Sequence, residues 1–597
     1  MARVVAPFLL VVCAASRAAA VDVSENELAR PPSIERVSAL QAEAAQAGWS
    51  AVAPQLREVA VRLYEKNGPQ AQALFHLYRW ARLFGLTEAQ AVSDWGNAIK
   101  QAKAGHANMA QQYRSTPQPL ADFWPSGLQA YAMSSPEFSD QFFSVLSPLD
   151  QPTMVMGILG TLWVRNPAEF RDYANLAIAI AVVYDVPPPP TWPHGQVSAQ
   201  ALPRKFVPPA EVFEWFVKAD QSGATLHHLR QLPAAELKFV VDTGAGLDEM
   251  AWAQKNVQAP LAFLAKVYDA VRYRRDRLQA GIMSWPQATY TLPLILQEGG
   301  LCVDQAYFAA MVGKAKGVPT LLFRGAGLDG RHAWFGFLDA GGRWQLDCGR
   351  YAEQKLVAGF AFDPQSWLNI TDHELAFLTD GFRRLPLFRT SRMHAQFAEL
   401  YWEMGNLPAA VKAARTAVNL ESRNLDAWHL LIAVQTRLNP DPRPVENLLE
   451  EAARAFQRYP DVESEFKTQL SRSLRARGQA SAADFAERST AHKYEPNRSD
   501  LSIQQAKEVM QRSLDNDDAR NRIRAYNNVL TSYGRGAGMD FFDQIVRPFA
   551  ERLLQNDQPR DALQAIEQAR RTLRVEPNSQ LEIELNQLSR RAQQAVH

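Results

Sequence analysis

Four consecutive prolines, Pro187–Pro190, limit the fold of this chain more than any other feature of its sequence. Proline fixes its own φ angle and lacks an N–H group, so the run, with Trp192, Pro193 and Gly195 after it, cannot continue a helix. From about residue 33 to residue 183, apolar residues recur at helical spacing. We therefore predict a helical N-terminal domain over residues 21–186 and a stiff Pro-rich linker over residues 187–205.

The total length makes a division into domains necessary. A chain of 597 residues is too long to fold around one hydrophobic core. With 47% hydrophobic and 21% charged residues, the composition is that of packed globular domains. A formal net charge of +1 provides no field for capturing nucleic acid, so we predict no nucleic-acid partner.

The first 20 residues have the pattern of a secretory signal peptide. Arg3 precedes an apolar run over residues 4–15, and Ala18–Ala20 supply the small residues before a cleavage site near Ala20. A buried first helix is the alternative. We predict export to the periplasm or the cell exterior and loss of Cys13 on cleavage. No later segment reaches the roughly 20 apolar residues of a membrane helix, so we expect no integral membrane segment in the mature chain.

After cleavage two cysteines remain, Cys302 and Cys348, so disulfides cannot form the scaffold of the fold. A disulfide between these two is one interpretation of their presence. A reactive thiol at Cys302 is the other. Gly299 and Gly300 break the chain just before Cys302, and the following residues predict a helix that ends before Gly317. At a helix N-terminus, free N–H groups and the helix dipole favour thiolate and can bind an oxyanion.

The residues after this helix predict a short antiparallel sheet. Residues 319–324 form the first strand, residues 331–338 form a second strand that carries His332, and residues 343–347 return after a turn and end on Asp347. On neighbouring strands His332 and Asp347 can come within reach of each other. A thiol, an imidazole that takes its proton and a carboxylate that orients the imidazole are the groups that acyl transfer requires.

Four short motifs resemble the core of the transglutaminase-like superfamily, which shares papain-type cysteine, histidine and aspartate chemistry: Gly300-Leu-Cys-Val-Asp-Gln-Ala306, Gly317-Val-Pro319, His332-Ala-Trp334 and Trp344-Gln-Leu-Asp347. The resemblance implies an α+β catalytic domain over residues 206–390, with Cys302 as nucleophile, His332 as base and Asp347 as the orienting acid. Thr320, where many relatives carry arginine, and Cys348-Gly349, in place of a proline-containing tail, depart from the pattern. These departures bear on substrate and subfamily.

Other residues near the motifs have two interpretations each. Gln297 is a candidate oxyanion donor or a surface residue. Trp334 and Trp344 are candidates for the wall of a substrate cleft or members of the core. Asp304 serves the helix dipole. The arginine-rich stretch from Ala259 to Leu278 predicts a long helix with a solvated charged face.

The remaining histidines do not have metal-ligand spacing, because His227 and His228 are adjacent and His373-Glu374 lacks a second histidine. No acidic loop has the ligand pattern of a calcium site. We therefore predict neither a metal nor a cofactor.

Residues 391–597 are helical by pattern, and the first unit from Met393 matches a tetratricopeptide repeat of about 34 residues. The later units are degenerate. Stacked helix pairs of this type form a solenoid that binds a peptide or a protein partner. An ordinary helical bundle covering the catalytic domain is the alternative.

Together these features predict an exported, mainly helical multidomain enzyme that attacks amide or peptide bonds through an acyl-thioester, with a protein or peptide as substrate. Hydrolysis by a protease or amidase is favoured over transamidation, which requires exclusion of bulk water. The alternative is an inert transglutaminase-like fold in a helical-repeat scaffold or assembly protein.

Overall fold

The computed structural model describes residues 30–102, 113, 115–204, 207–351, 357–494, 498–514, 519–534 and 538–596. The predicted signal peptide, residues 1–20, and Cys13 lie outside the described residues. None of the helices in the described ranges combines the length and apolar character that crossing a bilayer requires.

The predicted mainly helical architecture with a short antiparallel sheet is confirmed, and helices make up 68% of the structure. The α-helices are α1 (Ile34–Ala47), α2 (Trp49–Asn67), α3 (Gln72–Gly85), α4 (Glu88–Ala102), α5 (Ser126–Ser134), α6 (Pro136–Val145), α7 (Pro152–Arg165), α8 (Pro167–Asp172), α9 (Ala174–Val183), α10 (Pro209–Gln221), α11 (Ala234–Val241), α12 (Leu247–Asn256), α13 (Arg275–Gln279), α14 (Leu292–Glu298), α15 (Cys302–Ala315), α16 (Asp372–Leu378), α17 (Pro386–Glu403), α18 (Leu407–Leu420), α19 (Leu425–Leu438), α20 (Arg443–Ala455), α21 (Pro460–Ala476), α22 (Ala480–Tyr494), α23 (Ser499–Leu514), α24 (Ala519–Tyr533), α25 (Gly538–Phe541), α26 (Arg547–Gln555), α27 (Pro559–Leu573) and α28 (Gln580–Gln594). Short 3₁₀ segments cover Gly68–Ala71, Leu120–Phe123, Leu229–Gln231, Leu261–Ala270 and Gly381–Arg384, and a π-helical turn covers Phe542–Val546.

The sheet has five antiparallel strands in the order β3-β2-β1-β4-β5. They are β1 (Thr320–Ala326), β2 (Arg331–Leu338), β3 (Trp344–Cys348), β4 (Phe360–Phe362) and β5 (Asn369–Thr371). Helix α15 packs on β1 and β2 and is buried from Val303 to Ala315. The side chains of Phe323 and Trp334 form a smaller core with Phe239.

A buried ion pair fixes the C-terminal end of α15. The Lys314 ammonium group donates to the Asp242 carboxylate at 2.5 Å and to the carbonyls of Phe239 and Thr320 at 2.7 and 2.8 Å. The Thr320 hydroxyl donates to the Ala310 carbonyl at 2.8 Å. Thr320, one of the departures from the family pattern, therefore joins β1 to α15.

The Pro-rich segment is packed into the molecule rather than exposed between two separate cores. The Trp192 ring is buried and lies 5.6 Å from the Trp367 ring between centroids. The main hydrophobic core is continuous from Val37 to Leu470, and a second core spans Ile503 to Ala592. The N-terminal helices and the region after residue 206 therefore share one core across residues 187–204.

Two buried carboxyl groups, those of Asp150 and Asp185, lie where the N-terminal helices meet the turn after β4. Gln365 on that turn donates to Asp150, and the Gln151 amide donates to one oxygen of Asp185 at 2.6 Å. The other Asp185 oxygen has no hydrogen-bond partner among the described residues. Burial raises the pKa of Asp150 to about 7, and burial together with the Asp150 charge raises the pKa of Asp185 well above its usual value.

Replacing Asp185 with asparagine should stabilise the protein at alkaline pH. Because the folded-state pKa values are raised, these carboxyls contribute full stability below about pH 4, the unfolded value, and lose it as the pH rises through the folded pKa values, about 7 for Asp150 and well above the usual value for Asp185. We expect Asp185→Asn to raise Tm by about 2–4 °C at pH 8 and to change it little at pH 4.5. Thermal denaturation by circular dichroism tests this, with the exposed Asp172→Asn as control. An equal shift at both pH values would contradict the assignment.

The C-terminal helices bridge the two ends of the molecule. On α17 the Phe397 ring stacks on Tyr64 of the N-terminal helices at 4.0 Å between centroids. At the far end, the Met539 and Leu581 amides donate to the carbonyls of Gly327 and Asp329, at 3.0 and 3.1 Å. Helices α25 and α28 therefore hold the turn between β1 and β2.

Arg331, the first residue of β2, is the centre of this contact. Its guanidinium group pairs with Asp543 at 2.6 Å and with Glu584, and its amide donates to the Gln580 side chain at 3.0 Å. Arg331 directly precedes His332, so the C-terminal helices contact the strand that carries the predicted base. The tetratricopeptide assignment for these helices stays a prediction.

Reversing the charge at Arg331 should release this contact. In Arg331→Glu a carboxylate faces Asp543 and Glu584, and like charges repel. We expect amide hydrogen exchange at residues 327–331 and 581 to become roughly three- to tenfold faster. Arg343→Glu, on the exposed turn between β2 and β3, is the matched control. Unchanged exchange in Arg331→Glu would show that the ion pairs do not hold the turn.

Candidate active site around Cys302

Cys302 is the first residue of α15, as predicted. The chain enters the helix through a close contact, because the Gly300 amide donates to the Arg272 carbonyl and the Gly300 carbonyl accepts from the Arg274 amide, both at 2.9 Å. A Cβ atom at position 300 would lie 2.3 Å from the Asp304 side chain, so only glycine fits.

Asp304 does more than complement the helix dipole. Its carboxylate accepts from the Leu301 amide at 2.7 Å and from the Tyr290 hydroxyl at 3.0 Å, and it pairs with Arg277 at 3.3 Å. Arg277 is 4% exposed, so it does not belong to the solvated face that the arginine-rich stretch predicts. The predicted helix from Ala259 to Leu278 is also interrupted, because residues 272–274 extend to pair with Gly300. The buried ion pair anchors the N-terminal end of α15, where Cys302 lies.

The Cys302 thiol is partly buried, on a helix that packs against β2, and the backbone amide of Ala333, next to His332, is close enough to affect its pKa. Burial and the Asp304 charge raise the pKa of the thiol to about 11, although the amides of Ala333, Val303 and Cys302 lower it. The sequence predicts a thiolate at this helix end, whereas the structure favours the neutral thiol. Desolvation of the sulfur outweighs the helix terminus.

His332 is held by a backbone carbonyl. Its Nε2 atom lies 2.6 Å from the Gly349 carbonyl oxygen, and 3.5 Å from the Tyr268 hydroxyl, which donates to the Ala333 carbonyl at 2.8 Å. Since a carbonyl only accepts, the proton of the neutral imidazole belongs on Nε2, and Nδ1 is left as the basic nitrogen. Burial lowers the pKa of His332, although the Gly349 carbonyl opposes this. Both members of the pair are therefore neutral near pH 7.

Gly349 cannot be replaced without moving its neighbours. Its φ angle is +88°, in the left-handed region, and a Cβ atom would lie 2.6 Å from the Tyr268 ring. Tyr268 is buried on the 3₁₀ segment Leu261–Ala270. Tyr268, Gly349 and His332 therefore form one packed unit.

The structure does not bring Asp347 to His332. The Asp347 carboxylate is 71% exposed and pairs with Arg350 at 2.8 Å. Phe335 faces Cys348 and Phe337 faces Gln345, so a bulge places Asp347 across from Gly336. Four residues along β2, about 13 Å, separate that position from His332. The expected Asp347–His332 hydrogen bond is thus corrected to one between His332 and Gly349.

The other candidate residues lie away from the thiol. Trp334 is fully buried and donates to the Leu346 carbonyl at 2.8 Å, and Trp344 donates to Glu236 at 3.1 Å. Both tryptophans belong to the small core, so their assignment to a substrate cleft is corrected. Gln297 is exposed on α14, and no hydrogen bond among the described residues joins it to the site.

A surface cleft of about 350 Å³ lies beside this site. Its lining comprises Ala265, Lys266, Asp269, Gln345, Leu346, Asp347, Cys348 and Gly349. Asp347 therefore lines the same cleft as Gly349, whose carbonyl oxygen accepts the hydrogen bond from His332. Cys348 is a free thiol like Cys302, and burial raises its pKa to about 12.

Sequence reasoning missed Tyr268 and Gly349. The Cys348-Gly349 pair stood out only as a departure from the family tail, and a glycine after a strand is the usual sign of a left-handed backbone. No local pattern marks Tyr268. In the described ranges, no group of three or more His, Cys, Asp and Glu side chains is placed to hold a metal ion.

No family model matches this chain, and no curated protein is significantly similar to it in sequence. The arrangement of Cys302, His332 and Gly349 is therefore the basis for any proposal about its function.

Proposed function

We propose that this chain is a cysteine-dependent acyl enzyme of transglutaminase-like type that acts on amide or peptide bonds. One observation carries the proposal: a thiol at the N-terminus of α15 lies against the start of β2, where His332 is fixed by a hydrogen bond through Nε2. A histidine held at one nitrogen keeps the other free to act as a base. Desolvated thiols without such a neighbour have no base to activate them.

The neutral pair defines the chemistry. His332 takes the thiol proton on Nδ1 as the sulfur attacks the substrate carbonyl, and a C–S bond forms as the carbonyl oxygen becomes an oxyanion. The N–H groups at the start of α15 stabilise this oxyanion. The imidazolium then protonates the leaving amine, the C–N bond breaks, and an acyl-thioester on Cys302 remains. Water, activated by the neutral His332, completes hydrolysis.

Hydrolysis is the favoured outcome over transamidation. The cleft beside His332 is open to solvent on the molecular surface, and an amine acceptor competes with water only where water is excluded. The substrate would be a protein or peptide, and the C-terminal helices would bind a protein partner as a separate function. Export and signal cleavage stay predictions from residues 1–20.

A catalytically inert scaffold is the second candidate function. The observation that favours it is the raised pKa of Cys302 together with the exposed Asp347, since none of the carboxylates in the described ranges is hydrogen-bonded to His332 to stabilise an imidazolium. In that case the helical repeats would carry the function.

Acylation by p-nitrophenyl acetate distinguishes the acyl enzyme from the inert scaffold. We expect a burst of nitrophenol, an acetyl group on Cys302 by peptide mapping, and continued turnover. Cys302→Ala should abolish the burst and Cys348→Ala should retain it. Slow acetylation without turnover, equal at both cysteines, would support the scaffold.

A further inference from the structure

Three tyrosines lie close enough to Cys302 and His332 to interact with the site. Tyr268 is the buried one, whose hydroxyl donates to the Ala333 carbonyl next to His332. Tyr273 and Tyr351 are 38% and 46% exposed. Large aromatic side chains that remain exposed beside a reactive group are characteristic of ligand-binding surfaces.

Tyr273 lies on the cysteine side of the site. Its backbone pairs with Gly300, two residues before Cys302, and the Arg274 amide fixes this contact at 2.9 Å from the Gly300 carbonyl. Burial and the neighbouring Cys302 raise the pKa of the Tyr273 phenol. The backbone contact that precedes α15 therefore places Tyr273 next to the segment that leads into Cys302.

Tyr351 lies on the histidine side. Its ring centroid is 5.7 Å from that of His332, and its hydroxyl donates to Asp269 at 3.4 Å. Burial, Asp269 and Cys302 together raise the pKa of its phenol. One exposed tyrosine is therefore placed next to the segment that leads into Cys302, and the other next to His332.

We infer that Tyr273 and Tyr351 are the walls of the acyl-donor site, and that they select a polypeptide substrate with an aromatic side chain next to the bond that Cys302 attacks. The inference rests on the proposed function. Paired aromatic faces bind a flat ring by offset or edge contacts, and tyrosine does so with little loss of side-chain freedom. Trp334 is fully buried and Trp344 packs against the same small core, so of the two interpretations that the sequence left open for them, the core one fits the structure.

The test compares reagents that share one reactive group. Wild-type protein is alkylated with N-(2-phenylethyl)iodoacetamide, N-butyl iodoacetamide and iodoacetamide, and the rate at Cys302 is measured by peptide mapping. Each rate is divided by the rate of the same reagent with glutathione. We expect the phenylethyl reagent to react about tenfold faster than the butyl reagent.

Variants show whether the two rings cause this preference. Tyr273→Ala and Tyr351→Ala should each reduce it to threefold or less, as a ratio within each variant, and Tyr273→Phe and Tyr351→Phe should retain it. Phe263→Ala is the matched control, because Phe263 is an even more exposed aromatic residue whose ring contacts Lys266 instead.

Equal normalised rates for the phenylethyl and butyl reagents in the wild type would overturn the assignment of the walls. A preference that survives both alanine variants would overturn it as well. The proposed function is judged separately, by the effect of His332→Ala on the rate with iodoacetamide, so failure of one inference is distinguishable from failure of the other.

Discussion

His332→Ala is expected to slow alkylation of Cys302 by iodoacetamide at pH 7 by about 100-fold or more. Because burial holds the pKa of the thiol at about 11, very little thiolate exists at pH 7. Reaction then depends on removal of the thiol proton by the neutral imidazole. Positioned general bases contribute roughly 10²- to 10⁴-fold, which sets the size of the effect. Intact mass and peptide mapping over time measure it.

His227→Ala is the matched control for this variant. His227 also bonds a backbone carbonyl, that of Leu338 at 3.0 Å, but at the opposite end of β2. We expect its loss to leave the Cys302 rate within about threefold of wild type. Equal effects of the two variants would mean that the histidines act through the stability of the strand rather than on the thiol.

Gly349→Ala is expected to reduce the same rate by about 100-fold, whereas Asp347→Asn should change it by less than about threefold. The added methyl group meets the Tyr268 ring at 2.6 Å, so either the ring or the Gly349 carbonyl must move, and His332 loses its acceptor. Asp347 makes its ion pair with Arg350 on the exposed side of β3. The rate of Cys302 alkylation at pH 7, measured from samples stopped at timed intervals, tests both variants.

The comparison between these two variants distinguishes a carbonyl-oriented base from a full triad. In a triad, replacing the orienting aspartate with asparagine lowers catalysis by about 10⁴-fold. Circular dichroism would show whether Gly349→Ala folds. If it does not, Asp347→Asn still decides the matter, since a loss of 100-fold or more in that variant would restore Asp347 as the orienting group.

Local sequence patterns were sufficient to predict the elements that hold the thiol and the imidazole. Gly299-Gly300 and the apolar spacing after Cys302 predicted a helix start, and the turn residues Asp339 and Gly341 predicted the hairpin. These signals are local, since each depends on backbone preferences within a few residues. The positions of Cys302 at the start of α15 and of His332 at the start of β2 follow from them.

Predicting the hydrogen-bond partner of His332 requires the strand register of the hairpin to be counted. From the closing pair of Leu338 and Trp344, six residues back along one strand and six forward along the other place Arg350, next to Gly349, opposite His332. Asp347 falls three residues short of that position even before the bulge is considered. The motif resemblance suggested an aspartate as the partner of His332. The strand register places Asp347 too far along β3 for this contact.

The remaining features depend on long-range contacts. The arginine-rich stretch has a helical pattern, yet residues 272–274 extend because Gly300 requires their backbone. Arg277 is buried because Asp304 accepts its charge. The raised pKa of the Cys302 thiol follows from the amount of protein packed around the sulfur, and no sequence window reports that quantity.

The most direct test of the neutral thiol–imidazole pair is the rate of Cys302 alkylation by iodoacetamide between pH 5 and pH 10, in wild type and in His332→Ala. The account predicts that the wild-type rate rises through the lowered pKa of His332, below its ordinary value of about 6.5, and then stays level before thiolate forms. In His332→Ala the level region should vanish, and the rate should fall about tenfold for each unit by which the pH is lowered. Identical profiles in the two proteins would contradict a base at His332 and leave the scaffold as the function.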